Sequence, residues 1–268
     1  MSESFLLYLA FGCLAGLSSG LFGIGGGVVI VPFLVWLFTE QGFASDAIMV
    51  MAVATSLATI VLTSASAVYA HHRMGAIDWP TVRRLSPGIL AGSALGAIVA
   101  NRLPVPLFKL IFAVFLLFVA MRMFSAGRAD GRKNLRPGSG LLSVAGLLIG
   151  SASAILGIGG GTLSVPLLVR CRFPMRNAVA ISSACGFPIA MAGSASYLVL
   201  GWDHPALPAA SLGYIYLPAL GGIAASSFLF APIGAKLAHW LPGAKLKRSF
   251  ALVLLAVGIK LLWQAVSG

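Results

Sequence analysis

Gly23-Ile24-Gly25-Gly26-Gly27 in the first half of the chain is repeated letter for letter as Gly157-Ile158-Gly159-Gly160-Gly161 in the second, with a proline five residues beyond each last glycine, Pro32 and Pro166. Both copies lie inside long apolar stretches. Glycine has no Cβ and loses the most conformational freedom on folding, so four glycines in five residues are not a relaxed stretch of helix. Backbone that leaves helical geometry at membrane depth is tolerated only where it is buried in protein or lines a wet cavity. Two such breaks, one in each half, predict a substrate site and a transporter.

Composition points the same way. The 268 residues are 59% hydrophobic and only 9% charged, whereas soluble domains carry about 25% charged residues. The chain reads as an all-α integral membrane protein, with the lipid bilayer as its surroundings. A transmembrane barrel would need short segments of alternating polarity, and the apolar runs here are long and continuous. The net charge of +12 does not imply a nucleic-acid partner, because the basic residues sit in short loops between apolar segments, as the positive-inside rule requires. Cys13, Cys171 and Cys185 lack CxxC spacing and predict neither a disulfide framework nor a metal site; no cofactor is expected. Met1-Ser2-Glu3-Ser4 carries no Lys or Arg ahead of the apolar run and does not read as a cleaved signal peptide.

Hydropathy divides the chain into eight apolar segments, at 5–38, 47–70, 85–100, 104–124, 139–169, 177–200, 209–235 and 243–266. Residues 125–138, with Arg128, Arg132, Lys133 and Arg136, form the one linker. They separate a first transmembrane repeat, 1–124, from a second, 139–268. The halves match beyond the glycines: Gly96-Ala97, Leu103-Pro104, Lys109 and Phe112-Ala113 correspond in order to Gly234-Ala235, Leu241-Pro242, Lys247 and Phe250-Ala251, and Ser64-Ala65-Ser66 to Ser194-Ala195-Ser196.

The first segment of each half is too long for a single span. Residues 5–38 as one helix would measure about 51 Å, against a hydrocarbon core of about 30 Å. If every segment simply crosses, the basic residues divide evenly between the two faces. If segments one and five each turn back at their glycines, fifteen of the eighteen basic residues face the cytoplasm, and only Arg102, Lys109 and Lys260 lie outside. The positive-inside rule favours the second arrangement. Each half is then a glycine-broken re-entrant hairpin plus three transmembrane helices, and the halves form inverted-topology repeats. Transporters of that design hold substrate near the midplane, between discontinuous helices whose positive N-terminal ends face anions.

The pattern G-x-G-G-G-x-x-x-x-P at Gly23–Pro32 and Gly157–Pro166 resembles that of the TauE/SafE family of sulfite exporters. Ala54-Thr55-Ser56 and the stretch Leu246-Lys247-Arg248-Ser249-Phe250-Ala251 fit it as well. The resemblance spans both repeats. It implies a bacterial inner-membrane permease for sulfite, sulfonates or related small organosulfur anions, working outward. The second copy departs from the first at Thr162 and Ser164, where Val28 and Ile30 stand, so the two half-sites would meet substrate asymmetrically.

Gly23, Gly25, Gly26, Gly27, Gly157, Gly159, Gly160 and Gly161 are candidate substrate-binding residues, through backbone amides freed by the breaks and directed at an oxyanion. The competing reading is close helix packing. Thr55, Ser56, Thr162, Ser182 and Ser183 are candidate hydroxyl ligands; the alternative for each is a bond to its own helix's carbonyl. His71, His72 and Arg73 end segment two, either as interface anchors or as groups that draw in anions or carry protons. No Asp, Glu, Lys or Arg lies in the middle of a predicted span, which suits an anion uniporter driven by membrane potential. The expectation is a secondary transporter exporting sulfite or a related anion by alternating access. Transport of another organic anion, a channel-like mechanism, a membrane enzyme built on His71-His72 and a membrane subunit of a larger complex are the alternatives. A homodimer is compatible with the sequence.

Overall fold

The computed structural model describes residues 2–22, 26–124, 139–237 and 243–266. Gly23, Ile24 and Gly25, and the 125–138 linker, lie outside them. The long first segments divide at their glycines as expected. Residues Ser2–Phe22 form α1 and Gly27–Glu40 form α2; Ser139–Leu156 form α6 and Gly161–Arg170 form α7. Between them come α3 (Ile48–Arg73), α4 (Trp79–Arg102) and α5 (Val105–Phe124), and α8 (Met175–Leu200), α9 (Leu217–Leu237) and α10 (Gly243–Val266) follow.

Two boundaries differ from the sequence reading. Helix α4 starts ahead of residue 85, because Asp78 caps it by accepting from the Thr81 amide at 3.0 Å and Pro80 fits the first turn. Segment 209–235 is not helical throughout. It opens with a two-stranded antiparallel hairpin, β1 (Ser211–Leu212) and β2 (Ile215–Tyr216), paired Ser211 to Tyr216 and turned at Gly213, whose φ is +55°.

That hairpin marks one end of the molecule. Tyr216 packs edge-on against Tyr8, Phe38 and Phe43. Tyr8 and Phe11 of α1 meet Phe33 of α2, the latter pair stacked at 3.6 Å, and the Tyr8 hydroxyl bonds the Gln41 side chain. The start of α1 therefore lies beside the end of α2, and the chain returns on itself after the break. At the opposite, basic end, α3 finishes with His71, His72 and Arg73. There the Asn177 amide donates to the Ala76 carbonyl at 3.1 Å, and the Ser143 hydroxyl of α6 donates to the Arg84 carbonyl at 3.0 Å. At its other terminus α8 reaches the hairpin, where the Tyr214 amide donates to the Tyr197 carbonyl. Helices α3 and α8 thus run antiparallel, and α1 and α6 begin at opposite ends.

Packing crosses between the halves: α1 lies along α9, α6 along α4, α3 along α8 and α5 along α10. Small residues permit the closest approaches, the usual device where lipid supplies no hydrophobic drive. A Cβ on Gly88, Gly92 or Gly96 of α4 would strike the carbonyl oxygens of Ser143, Leu147 and Ser151 on α6. Helix α3 runs through the interior, with Met51 to Leu57 free of solvent. Outward, Leu6, Leu14, Leu141, Leu148 and Leu229 are exposed, an apolar surface that water would not support. Among the described residues, three helices are long and apolar enough to cross a membrane, Ile48–Arg73, Met175–Leu200 and Leu217–Gly234, with shorter apolar helices beside them.

Candidate functional site

Each break ends on a left-handed glycine that starts the next helix. Gly26 has φ +70° and ψ −26°; Gly160 has φ +75° and ψ −11°. Only glycine adopts this region without strain. The Gly26 carbonyl accepts from the amides of Val29 and Ile30, and the Gly160 carbonyl from those of Leu163 and Ser164. The two caps are therefore built alike. Neither N-terminus is closed by a side-chain cap, so the first amides of each helix lie uncapped at the positive end of its dipole.

The two breaks touch. A Cβ on Gly27 would collide with the Gly157 carbonyl oxygen and approach Ile158 Cα, and one on Gly157 would meet Val31 Cγ2 at 2.7 Å and Val53 Cα at 3.1 Å. Gly157 itself has φ +65°. The Ser56 hydroxyl of α3 donates to the Gly157 carbonyl at 2.8 Å, which ties the second break to the central helix. The hydroxyl of Thr55, also solvent-free, accepts the Tyr216 amide at 3.0 Å and so anchors the hairpin. Ser182 meets Ser164 hydroxyl to hydroxyl at 2.6 Å, and Ser164 also donates to the Gly160 carbonyl at 2.8 Å. The Ser183 hydroxyl donates to the Val179 carbonyl of its own helix. The hydroxyl oxygen of Thr162, and that of the fully buried Ser153 near Gly160, have no hydrogen-bond partner among the described residues.

A cavity of about 60 Å³ joins the second break to the basic end. At ~10–15 Å³ per water, it holds roughly four to six waters, or an anion of a few heavy atoms. Gly159 stands at its head and Ser183 on its wall; Ser19, Thr63, Ser64 and Ser66 add hydroxyls, and His71 and Met74 lie toward the end of α3. Gly186 keeps α8 clear of the break, since a Cβ there would come within 3.0 Å of the Gly159 carbonyl oxygen. Of the candidates read from the sequence, Gly27, Gly157 and Ser56 meet at the contact of the breaks, Gly26, Gly160 and Gly161 lie at the helix starts that follow the breaks, and Gly159 and Ser183 face the cavity. Gly23 and Gly25 fall outside the described residues. The cavity hydroxyls of α1 and α3 went unmarked in the sequence, although Ser64 and Ser66 were visible there as a repeated Ser-Ala-Ser.

Charge divides along the same axis. Arg73, Arg83, Arg84, Arg170 and Arg176 cluster toward the basic end, whereas Glu40 and Asp46 flank the loop near the hairpin. Beside the hairpin, burial and then the like charge of Asp46 push the Tyr214 phenol up, so it stays a neutral donor. Burial likewise raises the Cys171 thiol in the turn after α7. The three cysteines are free, and no group of metal-binding side chains occurs among the described residues.

Residues 8–261 match the family described as Sulfite exporter TauE/SafE. A probable membrane transporter protein of Haemophilus influenzae is 40% identical over 258 residues, covering 96% of this chain and 97% of that protein. The probable membrane transporter protein YunE of Bacillus subtilis is 25% identical across 98% of this chain and 99% of its own length. One from Methanocaldococcus jannaschii is 27% identical over 79% of the chain. No solved structure matches the chain.

Proposed function

Because the chain belongs to the Sulfite exporter TauE/SafE family of multi-pass membrane transporters, we propose that it exports sulfite or a related small organosulfur anion by alternating access. One observation carries the reading: two helix N-termini without side-chain caps, each started by a left-handed glycine, meet through Gly27 and Gly157, and a small hydroxyl-lined cavity reaches that meeting point from the basic end. An oxyanion there is bound by amide dipoles and hydroxyls, which hold it without a buried opposite charge that would slow release.

In this reading the substrate groups are the amides of Gly23, Gly25, Gly26 and Gly27 and of Gly157, Gly159, Gly160 and Gly161, with the hydroxyls of Thr55, Ser56, Thr162, Ser182 and Ser183. Ser56 and Ser182 set the breaks in place, and Thr162 offers an unpartnered hydroxyl. The two units, 1–124 and 139–268, are inverted repeats joined by the linker. Three features support that inversion: the opposite starts of α1 and α6, the antiparallel run of α3 and α8, and the reciprocal packing of α1 on α9 and α6 on α4. Rocking one unit against the other exposes the meeting point to either face in turn. An inside-negative potential drives an anion outward, with about 2.3 kcal/mol per charge per 100 mV.

The test is flux of labelled sulfite and a panel of sulfonates and carboxylates in liposomes holding the purified protein, with potential imposed in each direction. Sulfur anions should move, faster toward the positive side. Absence of flux for every sulfur anion at both polarities would rule the reading out.

A further inference from the structure

His71 stands apart in the cavity wall. It is the one ionisable side chain lining the cavity among the described residues; the rest are hydroxyls, small apolar groups and the Gly159 backbone. Its Nδ1 is shielded from solvent and has no hydrogen-bond partner among the described residues. A shielded ring nitrogen left unpaired beside a wet cavity is a donor or acceptor that awaits a guest. The neighbouring His72 is occupied otherwise: its Nδ1 accepts from the Trp79 indole at 3.3 Å, and it faces the outer side of α3.

Resting on the transport reading above, we infer that His71 and the cavity hydroxyls of α3 form a proton-linked loading subsite, which takes a small singly charged oxyanion together with one proton. In the neutral ring one nitrogen is an acceptor, which repels an oxyanion. A proton taken from the cytoplasmic water makes both nitrogens donors and adds a positive charge. The anion and the proton neutralise each other while the anion rests in the cavity, the cheaper form in which to hold charge there. The proton returns to the cytoplasmic water when the anion moves on to the breaks, so the charge transported remains that of the anion. The charged group that acts on His71 from another element is Arg176 on α8; on its own helix His72 is engaged with Trp79 and Arg73 with Tyr69. Helices α1 and α9 and the break contribute no ionisable side chain to the described lining. Arg176 of α8 puts a positive charge near the ring, and the incoming anion offsets it, so anion and proton load together. By linkage, each ligand strengthens the other by the same factor.

Methanesulfonate is the suitable probe, because its charge does not change between about pH 5 and 8, where histidine titrates. A group protonated in the complex contributes affinity at low pH and loses it as pH rises. The purified wild-type protein should bind methanesulfonate about tenfold or more tightly at pH 5.5 than at pH 8. Calorimetry in buffers of different ionisation enthalpy should show proton uptake approaching one per anion. His71→Gln, which retains hydrogen bonding but cannot charge, should bind with the weak affinity of the wild type at pH 8 at every pH, while His72→Gln leaves the pH profile as it was. Binding without pH dependence or proton uptake in the wild type overturns the subsite and leaves the transporter reading intact, a measurement that needs no variant to fold. No binding of methanesulfonate at any pH, together with no flux of any sulfur anion, overturns both.

Discussion

Gly157→Ala and Gly42→Ala separate two penalties that coincide at the contact of the breaks. Both glycines have left-handed φ, +65° and +71°. A Cβ at Gly42 would meet nothing within 4 Å, whereas one at Gly157 would lie 2.7 Å from Val31 Cγ2 and 3.1 Å from Val53 Cα. Each alanine costs roughly 1–2 kcal/mol for its backbone conformation and regains ~0.4–1 kcal/mol by restricting the unfolded chain. Only Gly157→Ala adds overpacking, roughly 1–3 kcal/mol. The difference between the two variants therefore isolates the collision. At about 2–4 °C per kcal/mol for a chain of this size, Gly157→Ala should melt about 2–12 °C below Gly42→Ala, read by the apparent melting temperature in detergent. Combining Gly157→Ala with Val31→Ala removes the nearest clashing atom and should recover part of the loss, a coupling of ~0.5–3 kcal/mol. Equal melting of the two single variants, or additive behaviour of the pair, would refute the claim that the second break is wedged between α2 and α3.

Removing the hydroxyl in Ser56→Ala leaves the buried Gly157 carbonyl unbonded, so thermal scans should show a loss of ~1–3 kcal/mol, and flux should fall more than stability if that carbonyl is part of the moving site. Gly92→Leu drives a side chain into the Leu147 carbonyl of α6 and should abolish the monodisperse peak in size-exclusion chromatography, whereas Gly140→Ala, which meets nothing within 4 Å, should leave it unchanged. In a Cys13→Ser, Cys185→Ser background, Cys171 should react slowly with a membrane-impermeant maleimide at pH 7 and faster as pH rises, because burial raises its thiol and only the thiolate attacks. In inside-out vesicles this labelling should proceed, and labelling from the periplasmic side instead would contradict a cytoplasmic basic end.

The glycine runs were legible because backbone freedom is written locally: clustered glycines at membrane depth announce a break whatever surrounds them. Loop charges were legible for the same reason, since each loop meets a membrane face on its own account. Helix starts were less so. Asp78 draws α4 outward by a cap that hydropathy does not register, and the hairpin at Ser211–Tyr216 hides inside a segment that reads as apolar helix. The glycines of α4, spaced four apart, signal a close neighbour but carry no address for α6. Ser56 could be picked out as a polar residue in an apolar helix, but its partner is a carbonyl 101 residues away.

From the sequence alone came an all-α membrane chain, two breaks and a bias of positive charge, because composition, glycine content and loop charge act residue by residue against water and lipid. Tertiary structure decided that the breaks touch through Gly27 and Gly157, and that α1 and α6 each pack on a helix of the other half. It also decided that His71, rather than His72, looks into the cavity. Those outcomes depend on steric fit between segments far apart in the chain, where a missing Cβ or a single hydroxyl selects one neighbour among several apolar helices of similar composition.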